Sequence, residues 1–109
     1  MKKLLEKESD IQGAVCEYLE YKKHFFFRSN NIPVYMPDKH IFRAMPKYAP
    51  KGLPDIQVLT KEGFSVFLEV KRKGSYQSPD QKEFEAKCKE RGIEYYVVRS
   101  ISDVIKIGL

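Results

Sequence analysis

Apolar positions along the chain change their period several times, and each change marks an element. Ile11, Val15 and Leu19, with Leu4 ahead of them and Ala14 and Tyr18 widening the stripe, recur at helical spacing. They predict a helix from about Leu5 to Lys22. Glu and Asp crowd its first half, which suits the positive end of a helix dipole, and Gly13 weakens it locally. Phe25-Phe26-Phe27-Arg28-Ser29, ended by Asn30-Asn31, predicts a strand and a turn. Residues 32–54 contain Pro33, Pro37, Pro46, Pro50 and Pro54 and keep no period, with a short strand expected near Ile41 to Met45. Asp55 to Thr60 and Phe64 to Arg72 read as strands on either side of Lys61-Glu62-Gly63, an antiparallel hairpin. Ser78-Pro79-Asp80-Gln81 opens a second helix, with Ser78 as N-cap, Pro79 at the first helical position and Gln81 in the capping-box position. Arg91-Gly92 ends it. Ile93 to Arg99 is a further strand, and Ser102-Asp103 is expected to cap a last short helix through Ile107. Strands and helices in this order predict an α/β (α+β) fold, a mixed central sheet flanked by helices.

Composition narrows the class. A chain of 109 residues is long enough for one domain and short for two, so 1–109 is expected to be a single domain. Its 42% hydrophobic residues suffice for a core. The net charge of +5 favours a polyanionic partner, although mildly basic proteins are common. Cys16 and Cys88 stand apart, with no CxxC or histidine companion, which excludes a zinc pattern or a disulfide framework and predicts buried free thiols. The start, Met1-Lys2-Lys3-Leu4-Leu5, has no long apolar run and reads as no signal peptide. The expectation is a cytoplasmic protein that is not secreted.

Chemistry concentrates on three residues. Side chains alternate along a strand, so Glu69 and Lys71 share one face near the end of the second hairpin strand, opposite Val66, Leu68 and Val70. Asp55 opens the partner strand, and the tight turn brings it level with Glu69. Two carboxylates on adjacent strands make a hard oxygen site suited to Mg²⁺, which takes one or two protein carboxylates and keeps room for water and phosphate oxygens. A lysine beside such an ion can orient or deprotonate an attacking water or stabilise developing charge. Glu-x-Lys on a strand is also compatible with an ion pair on the exposed face of an edge strand. Lys39, His40, Arg43, Lys47, Tyr48 and Lys51 form either a loop facing nucleic acid or a solvated connector.

Taken together, Gly52-Leu53-Pro54-Asp55-Ile56, Phe67-Leu68-Glu69-Val70-Lys71 and Ser78-Pro79-Asp80-Gln81 before a helix resemble the virus-type replication-repair nuclease (VRR-NUC) domain of the PD-(D/E)XK superfamily. The resemblance runs from Glu8 to about Asp103. It implies a restriction-endonuclease-like α-β-β-β-α-β core and phosphodiester hydrolysis with Mg²⁺ or Mn²⁺. It makes Asp55 and Glu69 metal ligands, with the Val70 carbonyl, and Lys71 the catalytic lysine. The acidic residue of the first helix maps to Glu8, with Glu6 and Asp10 as alternatives, and Gln12 lies one turn beyond. Gln81 matches the family's glutamine that supports the catalytic site. Lys47, Lys51, Arg72 and Lys73 are candidate phosphate contacts, and Tyr48 and Tyr76 candidate stacking residues. Superfamily relatives that resolve Holliday junctions make a homodimer on branched DNA the expected form, in a bacterial or phage-infected cell. A flap or nicking endonuclease, an RNA-cleaving relative and a binding module without cleavage are the other readings.

Overall fold

The computed structural model describes residues 6–29 and 48–109 in full, together with the backbone of two short strands between them. The elements in chain order are α1 (Glu8–Tyr21), β1 (Phe25–Arg28), β2 (Val34–Met36), β3 (Ile41–Arg43), β4 (Ile56–Leu59), β5 (Ser65–Val70), α2 (Pro79–Glu90), β6 (Glu94–Val98) and α3 (Ile101–Ile107). A four-stranded mixed sheet has the order β1-β4-β5-β6. β4 runs antiparallel to both β1 and β5, and β6 runs parallel to β5 after the α2 crossover. The expected α+β architecture is therefore present.

Alternation along the strands decides which side chains meet which helices. Val66, Leu68 and Val70 of β5, Ile56 and Val58 of β4 and Val98 of β6 lie on one face, buried with Ile11, Val15 and Leu19 of α1 and Val104 of α3. The helical stripe read from the sequence is thus the seam that α1 presents to the sheet. On the opposite face α2 lays Phe84 edge-on against Phe67, ring centres 5.4 Å apart, and beside Tyr95. Among the described residues, no helix is long and apolar enough to cross a membrane.

Several boundaries differ from the sequence reading for local reasons. The first helix starts at Glu8 after an extended Lys7 with no side-chain cap, not at Leu5. A second short strand, β2, accompanies the expected β3 and pairs with it in an antiparallel ladder. The last helix is capped by Ser100 rather than Ser102: the Ser100 hydroxyl accepts from the Asp103 amide, and the Asp103 carboxylate accepts from the Arg99 amide. Cys88 is buried as expected, while Cys16 is only half-buried.

Candidate active site

Asp55 stands immediately before β4 and Lys71 immediately after β5, so the site lies where two adjacent strands begin and end. Both residues remain tied to the ladder. The Asp55 carbonyl accepts from Ser29 N at 2.8 Å, and Lys71 N donates to the Val98 carbonyl at 3.1 Å. Ile56 lies opposite Leu68 in the register, which sets Asp55 level with Glu69. Asp55 Oδ2 accepts a 2.7 Å bond from Val70 N, so its carboxylate is fixed against the backbone between Glu69 and Lys71. β5 is a central strand with partners on both sides, which removes the edge-strand ion pair as an account of Glu69 and Lys71.

Burial gives the cluster its character. Glu69 is 1% exposed and Lys71 9%. Lys71 Nζ lies 3.9 Å from Glu69 Oε1, and Gln81 Nε2 donates to the same oxygen at 2.9 Å. The other oxygen, Glu69 Oε2, is buried and receives no donor. The loss of water, followed by the charge of Asp55 and a hydrogen bond to it, pushes the Glu69 carboxyl up to about 9. The neighbouring charge of Asp55 and the donorless Oε2 are two views of one deficit of positive charge. Lys71 pulls in the other direction and does not outweigh burial, and Glu8 adds a small further push upward. Of the acidic candidates Glu6, Glu8 and Asp10, Glu8 is the one whose charge acts on Glu69.

Gln81 resolves an apparent conflict between two roles. Its Oε1 accepts from Ser78 N at 2.8 Å, and Ser78 Oγ accepts from Gln81 N, completing the capping box. Its Nε2 remains free for Glu69. One amide thus anchors the start of α2 with its acceptor and the buried carboxylate with its donor. Gly52 supports this join. Its φ is +73°, and a Cβ there would stand 2.4 Å from the Asp80 carbonyl carbon and oxygen and 2.6 Å from Gln81 N. The chain ahead of Asp55 therefore rests directly on the first turn of α2, an approach only glycine allows.

The basic candidates divide. Arg72 and Lys73 are exposed on the loop that leaves Lys71. Arg99 pins that loop: its Nη1 donates to the carbonyls of Arg72 (2.7 Å) and Ser75 (2.8 Å), and its guanidinium lies 5.6 Å from the ring centre of exposed Tyr76. Lys51 lines a groove along α2 with Pro50, Phe67, Phe84 and Cys88, a groove that Asp55 and Glu69 do not line. Tyr48 is exposed, and Lys47, Lys39, His40 and the Arg43 side chain lie outside the described residues. Gln12 bonds Arg28, a residue absent from the sequence candidates: Arg28 Nη2 donates to Gln12 Oε1 at 2.8 Å. A signal for it existed, since Arg28 has the same strand parity as core-facing Phe26 and so falls on the α1 side of the sheet. Burial raises the Cys16 thiol, while Arg28 lowers it and Asp55 raises it by charge, so both groups act on one sulfur.

The donor set fits a hard divalent cation. Two adjacent carboxylates, one with a donorless buried oxygen, are what such an ion satisfies, and two is a usual number for Mg²⁺. Among the described residues, no three His, Cys, Asp or Glu side chains form a closed metal cluster, so the remaining positions of an ion would go to water or phosphate oxygens.

A mixed sheet that presents Pro54-Asp55 and Glu69-Val70-Lys71 at adjacent strand ends is the arrangement of the PD-(D/E)XK nucleases. The sequence profile of the VRR-NUC domain matches residues 2–101, and the chain belongs to that family, a nuclease domain of this type. Two solved structures share the fold. One, a VRR-NUC domain, is 22% identical with a TM-score of 0.66 over 92% of this chain and 91% of that one. The other, a VRR-NUC domain protein, is 21% identical with a TM-score of 0.66 over 98% and 87%. No curated protein matches the chain.

Proposed function

We propose that the protein is a Mg²⁺- or Mn²⁺-dependent endonuclease that hydrolyses DNA phosphodiester bonds. The observation that carries this reading is Glu69: a buried carboxylate, forced against Asp55 and left with a donorless oxygen, lacks a positive partner that Lys71 alone does not supply. Asp55 and Glu69 hold the ion, with Glu8 within electrostatic reach and the Val70 carbonyl beside them. A bound divalent ion supplies charge stabilisation and an acidified water. Gln81 holds the Glu69 carboxylate in one orientation, and the Val70 amide does the same for Asp55. Lys71 offers its ammonium to the attacking water or to phosphoryl oxygens as they gain charge. Arg72 and Lys73, on a loop braced by Arg99, contact the flanking phosphates.

One such site cuts one strand. Symmetric cleavage of a branched duplex needs two, and a homodimer with two-fold symmetry provides them. The resemblance to superfamily relatives that resolve junctions is what favours branched DNA, of the kind a four-way junction represents, as the substrate class.

The test is cleavage of a labelled four-way junction, a flap and a plain duplex in Mg²⁺, Mn²⁺ or EDTA, with sedimentation of the same samples. Metal-dependent cutting strongest on the junction, lost in EDTA and in Asp55→Ala, is the expected outcome. DNA binding with no cutting in either metal would mark a binding module and end the reading.

A further inference from the structure

The carboxylates lie at one end of the sheet, and among the described residues Arg72 and Lys73 flank them on the side toward β6. Arg72 and Lys73 follow β5 and are braced from β6. On the other side, toward edge strand β1, the flanking residue is Arg28. It is the last residue of β1, paired with Ile56 in the register, and the next amide, Ser29 N, bonds the carbonyl of Asp55 itself. Arg28 thus ends its strand beside the residue that opens the acidic site.

Its partner matters more than its position. An exposed arginine can pair with an acidic neighbour, an interaction of small worth in water. Among the described residues, Arg28 makes no ion pair, and its guanidinium is instead held by the neutral amide oxygen of Gln12 on α1, 2.8 Å away. An amide directs a guanidinium without neutralising it. The remaining N–H donors of the fork, and its full charge, stay available to an outside anion. Gln12 lies one helical turn from Glu8, so the same helix face that turns toward the site also aims this arginine.

We propose that Arg28, aimed by Gln12, binds a backbone phosphate of the DNA strand on the edge-strand side of the site. Arg28 leaves the sheet on its α1 side and the acidic pair on its α2 side, so a strand wrapping the end of the sheet meets Arg28 before the acidic pair and Arg72 and Lys73 after it, and the scissile phosphate is held between two cationic contacts. Gln12 is a positioning residue in this arrangement, because it reaches the phosphate only through Arg28. This inference rests on the nuclease reading and adds a substrate contact to it.

The test uses the full chain and a fluorescein-labelled four-way junction, with binding read by anisotropy in EDTA over a salt series and cleavage read in Mg²⁺. Arg28→Ala is expected to weaken binding alike on different sequences and to lower the salt slope by about one. In cleavage it raises KM and leaves kcat near the wild-type value. Arg28→Lys retains the slope, since the charge remains. Gln12→Ala also retains the slope but raises KM, since the charge is no longer aimed. Wild-type affinity and slope in Arg28→Ala would overturn the proposal, and a lowered melting temperature with unchanged slope would reduce the pair to a structural clasp and overturn it equally. A wild-type chain that cuts none of the junction, a flap and a plain duplex would instead sink the nuclease reading, which separates the two failures.

Discussion

Glutamate and lysine form three close pairs in the described part of this chain, and the tightest are the least consequential. On α2, Glu83 with Lys87 and Glu85 with Lys89 approach to 3.4 Å. At the site, Lys71 and Glu69 are 3.9 Å apart. The difference is water. The Lys87 and Glu83 side chains are 63% and 66% exposed, against 11% and 2% for Lys71 and Glu69. Solvent solvates both members of an exposed pair and screens their attraction, so separation measures little there. At the buried pair the same approach fails to keep Glu69 ionised, because desolvation and the neighbouring Asp55 act more strongly. A buried Glu-Lys pair that does not settle its own charge is poor stabilising structure and a good place for a cation.

Exchanging the same residue types in the two regions gives the sharpest break. Glu69→Gln is expected to abolish metal-dependent cleavage while the protein still folds, since the glutamine fills the same space without a charge to desolvate. Lys71→Ala is expected to slow cleavage by roughly 10²–10⁴-fold, the usual range for a positioned proton-transfer or charge-stabilising group. Glu83→Gln and Lys87→Ala, made identically, are expected to cut at the wild-type rate. Single-turnover assays with circular dichroism of each variant check the four together. Full activity in Glu69→Gln would make the buried pair as incidental as the exposed ones.

A second consequence separates the regions by pH. The Glu69 carboxyl stands at about 9 in the folded chain against an ordinary 4.5. Between those values the folded state holds a proton that the unfolded state has released, so stability is complete below about 4.5 and declines as pH rises toward 9. In EDTA the melting temperature should therefore fall across that window, and Glu69→Gln should flatten the curve. Mg²⁺ binds the ionised form, so its stabilising effect should grow over the same range. A wild-type melting curve in EDTA that keeps its height from pH 5 to pH 9 would contradict the burial argument.

The comparison also explains what the sequence can and cannot disclose. Strand parity alone places Glu69 and Lys71 on one face, and the turn at Lys61-Glu62-Gly63 brings Asp55 beside them, because hairpin geometry is local. The Ser78 to Gln81 cap is equally local. What no local pattern contains is that β5 is central, and this single fact turns a common Glu-x-Lys into a buried site. The shared amide of Gln81 and the bond between Gln12 and Arg28 join elements distant in sequence, so alternation and spacing leave them open. Ser100, rather than Ser102, caps α3 because the strand before it stops at Val98, one residue short of the expected Arg99, and leaves the chain to turn at that serine. β2 is three residues long within a proline-rich stretch, too short to establish a period.

Gly52 tests whether the site depends on its neighbours as the buried pair implies. Gly52→Ala forces a Cβ into the backbone of Asp80 and Gln81 at a positive φ, where backbone cannot give way as a flexible side chain would. The expected result is a loss of about 1–3 kcal/mol of stability and, separately, a drop in kcat as the first turn of α2 moves Gln81 from Glu69. Gly63→Ala provides the control: its φ is also positive, at +90°, but nothing lies within 4 Å of the added carbon. It should lose stability for the backbone reason alone and keep its cleavage rate. Equal losses of activity in the two variants would show that a general loosening, not displacement of Gln81, is responsible.

The smallest expected effect is on the exposed pairs themselves. Glu83 and Lys87 are four residues apart on α2 with the acid nearer the N-terminus, the favourable orientation along the helix dipole. A double-mutant cycle of Glu83→Ala and Lys87→Ala is expected to return a coupling of about 0.3–0.5 kcal/mol at low salt. Screening over the Debye length, about 3 Å at 1 M, should reduce it toward zero in strong salt. A coupling above about 1 kcal/mol that survives strong salt would mean that exposure does not set the worth of these pairs. The contrast with Glu69 and Lys71 would then need a cause other than water.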